Sequence, residues 1–600
     1  MPEPLLAPPD AAARLALIDA FATLSETTRA ALAVEVEWLR VAGGERLFSE
    51  DDPADAAYFV IRGRFRVSHA GPDGEQLIGY RGAGEPVGEV GVLADVPRTA
   101  TVQAVRDTDV VRVDRVTFDR LLRDDPATMV PLVSTVATRL ADALRGRVPD
   151  AGRLSTLAIL VDDGVEDAPW IVDTLMEELA RRVPVVRLPV RGGQDGIPIP
   201  RLIAAIDEQE ARGGFTILEV DPKSGPVAQR GLRQADAVVV IATPAPHRLA
   251  GPVLDALTDL RASGCTPVTT IVLLQPSWRA HPVGTAARVA GFDAHFHVSA
   301  GSRQHLARVA RHLTGGGVGL VFGGGGARGL AHIGAYRALV EAGVPIDRVG
   351  GSSSGGVFAA QIAAGWSPDE VLARNRAEWP RARPGRRFTL PLLSLLSPEV
   401  AIRMLDRMFG RADLEDLWLP CFVTAVDLTE CRLVVCRSGP VSRWTLATQS
   451  PPGIWPPVVG DDGALFVDGA VLDNLPVVPM RAEGAGRVVS VSVSRRLPFA
   501  AGENVRVTPS PVAFLRSLAS GTVQRGEHFP NLLQVLNRTA LVTGVAGHAV
   551  SQARSDVYVE PAVGEFALGD WSRVDDIVPR GYDAMRRALD EHADIVASWS

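Results

Sequence analysis

An apolar strand running without interruption into four glycines is the feature of this sequence that most restricts its fold. Val318-Gly-Leu-Val-Phe322 leads directly into Gly323-Gly-Gly-Gly-Ala-Arg-Gly329, and helix-forming residues follow from Leu330 to Glu341. Strand, glycine loop and helix in that order open a βαβ unit of a parallel sheet. The glycines let backbone approach a ligand closely, and the free amides at the start of a helix attract negative charge, so the loop can hold a phosphate or an oxyanion. Residues 324–329 also fit G-x-G-x-x-G, and Asp347 follows about 20 residues on, which keeps a dinucleotide site open. Asp347, however, precedes the second strand, whereas a ribose ligand belongs at that strand's end.

A second motif decides between the two. Gly351-Ser-Ser-Ser-Gly355 fits G-x-S-x-G with Ser353 at its centre, between a short strand at Arg348–Gly350 and a helix from Gly356 to Ala364. A strand–turn–helix elbow exposes a serine hydroxyl on a strained turn, and small flanking residues permit the bend. The pentapeptide alone also suits a helix N-cap serine. Coming one βαβ unit after the glycine loop, it places a nucleophile beside amides that can stabilise an oxyanion. The nucleophile's base is supplied by Val467-Asp-Gly-Ala470, with Asp468 at a strand-to-turn boundary. An isolated Asp-Gly is usually just a turn. Here it lies between Pro451-Pro-Gly-Ile-Trp-Pro-Pro457 and Asp473-Asn-Leu-Pro476.

These three motifs, in this order, resemble the patatin-like phospholipase family, which is similar to cytosolic phospholipase A2 in using a Ser–Asp dyad without a catalytic histidine. The resemblance implies that Ser353 attacks an ester carbonyl while Asp468 accepts its proton and returns it to the leaving alcohol. It implies an oxyanion hole from the amides of Gly324, Gly325 and Gly326, with Arg328 fixing the loop, and motif positions at Gly329, Gly351, Gly355, Gly469 and Ala470. The substrate implied is a lysophospholipid or phospholipid, with no metal and no cofactor. His332, one turn past the loop, is a rival base, weighed against helix packing or loop support. The stretch Val318 to Gly356 and the tail Asp556 to Leu589 are most similar to the neuropathy target esterase branch. Two departures stand out: Gly323 and Ser352 replace an expected Ser and Thr, and Thr448-Gln-Ser-Pro-Pro452 replaces a small, Ser-rich run, which bears on the shape of the acyl pocket.

Towards the N-terminus, short alternating runs such as Tyr58-Phe-Val-Ile-Arg-Gly-Arg-Phe-Arg-Val67 read as a small β-barrel or sandwich, closed by a helix over Met129–Leu144. Gly88-Glu-Val-Gly-Val-Leu-Ala-Asp-Val-Pro-Arg-Thr-Ala-Thr101 resembles the phosphate-binding cassette of cyclic nucleotide-binding domains. The residues implied are Gly88, Glu89 for the ribose hydroxyl, Arg98 for the phosphate, and Thr99. Copies of this domain also exist that keep the fold and bind nothing. Glu50-Asp51-Asp52 stands where a turn glycine is usual. A cyclic nucleotide is therefore the candidate effector.

The expected fold is multidomain α/β. A flexible N-terminus (1–20) precedes a cyclic nucleotide-binding-like β-roll (21–148). A Rossmann-like parallel α/β scaffold (154–314) follows, then a patatin-like α/β hydrolase domain (318–600), joined by a hinge at Thr314-Gly-Gly-Gly317. Composition narrows the function classes. A net charge of -8 over 600 residues, with no basic arm, argues against nucleic-acid binding. Four cysteines form no disulfide framework, which fits a reducing, cytoplasmic setting. Cys421, Cys431 and Cys436 match no zinc spacing and read as buried strand thiols. No secretory signal and no run of about 18–20 apolar residues is seen, so any lipid contact is peripheral, at the inner face of a membrane. Residues 388–409, after the basic stretch Arg381 to Arg387, read as a core helix under a loop or as an apolar flap touching that surface. The alternative to a hydrolase is a non-enzymatic cyclic-nucleotide sensor with an inactive hydrolase fold. The intact glycine loop, Ser353 and Asp468 argue against it.

Overall fold

The computed structural model describes residues 2–71, 74–125, 129–144, 154–192, 197–244, 249, 251–265, 267–276, 281–282, 285, 289–382, 389–390, 394–494, 510–520 and 547–599. The chain divides into two compact units, Met1–Gly316 and Gly317–Ser600.

The first unit begins with an antiparallel β-roll of two sheets. One is ordered Glu3–Leu5, Glu37–Val41, Thr108–Asp114, Ala56–Arg62, Pro86–Val87, and the other Arg46–Phe48, Thr101–Ala104, Phe65–Gly71, Gly74–Arg81. Val41, Val60, Phe65, Val102 and Val110 fill the space inside it. The first twenty residues, expected to be loose or a short helix, are part of this fold. Glu3–Leu5 pairs with Trp38–Arg40, and Leu15 and Ile18 are buried in the same core as Phe21 and Phe59. Their apolar side chains gain more from burial than the short segment loses in chain freedom.

The remainder of this unit is a six-stranded parallel sheet, ordered Val185–Val190, Phe215–Val220, Thr156–Val161, Ala237–Ala242, Val268–Gln275, Ala294–Ser299. Its central strands are unbroken apolar runs because both faces are covered. Leu157 and Ile159 face one core, Ala158 and Leu160 the other. The sheet and the β-roll meet at a buried ion cluster. Arg106 of the roll forms an ion pair with Asp236, Nε to Oδ1 at 2.8 Å, and another with Glu210, with Arg64 also near Asp236. Burial pushes the Asp236 carboxyl up, but Arg106 and Arg64 outweigh it and hold it below its ordinary range. A methyl on Gly44 would lie 2.1 Å from the Gly264 backbone, so the two parts touch main chain to main chain.

The second unit holds an eight-stranded sheet, ordered Val458–Val459, Leu465–Asp468, Cys421–Asp427, Arg348–Ser352, Val318–Phe322, Arg487–Val491, Val557–Val559, with Arg432–Cys436 also on Cys421–Asp427. From Cys421–Asp427 to Val557–Val559 it is parallel, and the other three strands are antiparallel. The helix Ala331–Glu341 crosses Val574–Glu591 closely, since a methyl on Gly581 would lie 1.8 Å from the Ala331 carbonyl oxygen. Cys421 and Cys436 are buried as expected, but Cys431 is exposed, in a turn with φ 54° rather than on a strand. In the stretch 388–409, the helix Glu399–Phe409 buries Met404 and Leu405 as a core helix does, while residues 383–388 and 391–393 lie outside the described residues. Among the described residues no helix is long and apolar enough to cross a membrane.

Candidate active site

The site forms at the carboxyl ends of adjacent parallel strands, Val318–Phe322 and Arg348–Ser352, where loops of such sheets gather ligands. Ser353 leaves its strand and enters the helix Ser354–Ala363 with φ 54° and ψ −132°. A side chain at positive φ is strained, and the surroundings must hold it there. Two contacts do so: the Ser353 amide donates to Thr448 Oγ1 at 2.9 Å, and the Ser353 carbonyl accepts from Gly356 at 3.0 Å. The motif glycines are required by contact. A methyl on Gly351 would lie 2.5 Å from the Gly355 carbonyl carbon, and one on Gly355 would lie 2.3 Å from the Phe322 carbonyl oxygen. Ser352 and Ser354 are buried, and Ser353 alone of the three reaches solvent.

Ser353 Oγ donates to Asp468 Oδ2 at 2.8 Å, across 115 residues of sequence. Asp468 ends the strand Leu465–Asp468. Its Oδ1 accepts the Ala470 amide at 2.9 Å, and its own amide donates to the Ser450 carbonyl at 3.0 Å. Gly469 fits under it because a methyl there would lie 2.4 Å from the Thr424 carbonyl oxygen. Burial pushes the Asp468 carboxyl up to about 7, against the opposing pull of the Ala470 amide and the Ser353 hydroxyl. A carboxyl at that position is basic enough to take a proton near neutrality.

The glycine loop lies against Ser353, since a methyl on Gly324 would be 2.6 Å from Ser353 Cβ. Its amides are not equivalent. The Gly324 amide donates to Asn474, to both the backbone oxygen and Oδ1 at 3.2 Å, and the Gly325 amide donates to Ser354 Oγ at 3.2 Å. Gly326, at φ 58°, opens a short 3-10 turn, Gly326–Leu330, whose buried Arg328 donates its amide to the Gly325 carbonyl at 3.3 Å. Gly329 packs on Ser354 and Phe358, where a methyl would lie 2.8 Å from Ser354 Oγ.

His332 bonds the glycine loop, while Ser353 and Asp468 bond each other. Fully buried, His332 stacks on Phe322, with its Nε2–H donating to the Gly323 carbonyl at 2.8 Å. Burial lowers its pKa to about 4, which makes it a weak base, and its bond to Gly323 makes it a support of the loop. Asp347 is also accounted for: its carboxylate accepts the Val318 amide at 2.9 Å, at the far end of the strand from the loop. That removes the acid a dinucleotide site would need.

Three residues of this site escaped the sequence reading. Thr448 and Ser450 hold the backbones of Ser353 and Asp468, from the segment noted only as a departure from the family's pattern. Asn474 ties down the loop from within Asp473-Asn-Leu-Pro476, with its Nδ2 donating to Ser494 Oγ at 2.6 Å.

In the β-roll the cassette residues also come together. Arg98 is buried beneath the turn, with Nη1 donating to the Gly88 carbonyl at 3.0 Å and its guanidinium 4.2 Å from the centre of the Phe48 ring. Glu89 is buried and paired at 2.5 Å with Arg139 of the helix Met129–Leu144, a partner the sequence did not suggest. Thr99 is exposed beside them. Asp51, where a turn glycine is usual, sits at φ 68°, so the position keeps the glycine geometry without the glycine.

Comparison with known proteins identifies the domains in which these residues lie. Residues 320–481 match the patatin-like phospholipase family, and residues 38–125 match the cyclic nucleotide-binding domain. The chain thus carries a patatin-like phospholipase domain behind an N-terminal cyclic nucleotide-binding domain. Similar proteins include an NTE family protein, a patatin-like phospholipase domain-containing protein and a neuropathy target esterase. An uncharacterized NTE family protein of Mycobacterium tuberculosis is 29% identical over 603 residues, covering 98% of each chain. Patatin-like phospholipase domain-containing protein 6 of Mus musculus is 30% identical over 76% of this chain but 38% of its own length. Neuropathy target esterase sws of Drosophila melanogaster is 28% identical over 76% of this chain and 36% of its own. This chain therefore spans little more than a third of the animal relatives it matches.

Proposed function

We propose that this protein hydrolyses carboxylic esters of lysophospholipids or phospholipids through an acyl-enzyme on Ser353, with Asp468 as the base. The observation that supports this most is the hydrogen bond of 2.8 Å from a positive-φ serine to a buried carboxyl held at about 7, beside a glycine loop. In this reading Asp468 takes the Ser353 proton as Oγ attacks the ester carbonyl, then returns it to the leaving alcohol. Water hydrolyses the acyl-enzyme by the reverse sequence. The oxyanion is received by the glycine-loop amides. Those of Gly324 and Gly325 exchange their present acceptors, Asn474 and Ser354, for the developing charge, and the Gly326 amide joins them. The substrate is met at a membrane surface from the aqueous side.

Fatty-acid release from lysophosphatidylcholine by the intact chain and by Ser353→Ala tests the reading, with a fluorophosphonate label on the same samples. Release and labelling that both vanish in the variant are expected. A wild-type chain that neither labels nor releases fatty acid would instead favour the sensor alternative. We also propose that the β-roll binds a cyclic nucleotide as effector, with Arg98 and the cassette amides on the phosphate and Glu89 on the ribose, Arg139 giving way. Titration calorimetry with cyclic AMP and cyclic GMP tests it.

A further inference from the structure

The strand that ends in Asp468 begins beyond the end of the parallel sheet. Ser352 lies level with Thr424, and there the strand Arg348–Ser352 stops and turns into the elbow. Its neighbour Cys421–Asp427 runs on past that level, with Arg432–Cys436 on one side, Leu465–Asp468 on the other, and Val458–Val459 outside the latter. These antiparallel strands form a tongue that passes the carboxyl ends of the parallel strands on the side where Ser353 reaches solvent.

The tongue carries an apolar row. Asp427 lies opposite Phe466, the next amide, of Leu428, donates to the Leu465 carbonyl at 2.8 Å, and Leu465 lies opposite Val459. Cross-strand partners share a face, so Leu428, Leu465 and Val459 stand side by side, 43%, 40% and 59% exposed. At about 3.3 Å per residue the row lies ~10 Å along the strand from Asp468. Alternation turns Leu465 away from Asp468, which places the row beside the mouth of the site rather than within it. Two other segments that build the site also present leucines to solvent. Leu568 takes the Ala327 amide of the glycine loop on its carbonyl, and Leu390 sits in a turn tied to Gly453 and Ile454, just after Ser450. At its end the tongue carries Glu430, Asp461 and Asp462 against Arg432, with Arg443 paired to Asp461, so an anionic surface adds no attraction.

We propose that the row Leu428, Leu465, Val459 docks on a zwitterionic lipid surface, so that the tongue sets the mouth of the active site against lipid. This rests on the esterase reading above and goes beyond it by naming the face that meets lipid and the charge of the surface it meets.

Cys431, in the turn after Leu428, is the one exposed cysteine of four, so an environment-sensitive thiol dye reports on the tongue in the otherwise unaltered chain. Phosphatidylcholine vesicles should shift its emission to the blue, and no more strongly when phosphatidylglycerol is added. Leu428→Ser combined with Val459→Ser should weaken sedimentation of the unlabelled chain with the vesicles by roughly tenfold or more, while hydrolysis of a short soluble ester stays unchanged. The absence of a shift overturns the assignment. So does a shift that requires phosphatidylglycerol, undiminished sedimentation of the folded double variant, or a shift that grows with protein concentration without vesicles and marks a contact between copies. If Ser353 takes a fluorophosphonate but vesicles move neither dye nor protein, the docking face falls and the esterase stands. If vesicles bind as expected but Ser353 takes no label, the esterase falls and the docking face stands.

Discussion

Asp468 and Glu89 are both carboxyls buried at the edge of a turn, and burial pushes both above their ordinary range. Their company differs. Glu89 is paired with Arg139, whereas Asp468 has only the Ala470 amide and the Ser353 hydroxyl, and no cation among the described residues. A buried acid with a cation beside it is a structural element until a ligand competes for it. A buried acid with only neutral partners carries an uncompensated cost of ionisation, which the fold must absorb elsewhere. On the proposed function, the contrast is between a site for proton transfer and a site for a ligand, and it can be tested from both ends.

The largest effect belongs to the nucleophile: Ser353→Ala should lower kcat/KM for ester hydrolysis by about 10³-fold or more, measured by fatty-acid release. Asp468→Asn should lose comparable activity and gain stability. Raising the carboxyl from 3.8 to about 7 costs the ionised native state on the order of 4 kcal/mol. The native state holds a proton that the unfolded chain releases, so stability falls as pH rises from about 4 to about 7. The Asn variant should therefore melt at the wild-type temperature in acid and increasingly above it toward neutrality. Equal melting at pH 8 would break the comparison at its centre.

For activity the sign is the opposite, because the base must be ionised. The acid limb of kcat/KM should bend near pH 7 and fall about tenfold per unit below it. Thr448→Val, which removes the acceptor of the Ser353 amide, should lower kcat by roughly tenfold with little change in KM. The smallest effect is expected in the β-roll. Glu89→Gln should cost about 1–2 kcal/mol of stability in a melt, because Arg139 is only partly buried and loses its carboxylate to a neutral amide. A stabilised Glu89→Gln would erase the distinction drawn between the two acids.

The βαβ unit from Val318 to Gly356 was legible because its signals are local: an apolar run, a glycine loop and an elbow within forty residues. The parallel sheet of the first unit was legible for the same reason, in runs such as Ala237–Ala242 that only a strand buried on both faces can carry. The supports of the site were not. Thr448 acts on Ser353 across 95 residues, and Asn474 acts on Gly324 across 150, both by accepting from backbone amides that nearly any residue possesses. No periodicity encodes such a contact. His332 could be read either way from sequence, and only the stacking on Phe322 and the bond to Gly323 decide its role. The N-terminal twenty residues were read in part: the short helix is there, over Ala11–Leu15, but Pro and Ala suggested looseness, and Leu15 and Ile18, two of the most deeply buried side chains, gave too short a pattern to place the segment in the core.

The ion cluster at Arg106 has a consequence for where this protein can be cut. Cleavage between residues 144 and 154 followed by loss of the β-roll would strip Asp236 of Arg106 and Arg64, leaving it only the hydrogen bonds from Ser155 and Thr156, and leave Glu210 without its arginine. The severed α/β sheet should then precipitate or melt at low temperature. A nick at Gly316–Gly317, between the compact units, leaves every one of those charges matched. Limited proteolysis should accordingly release the β-roll and the parallel sheet as one resistant fragment rather than two.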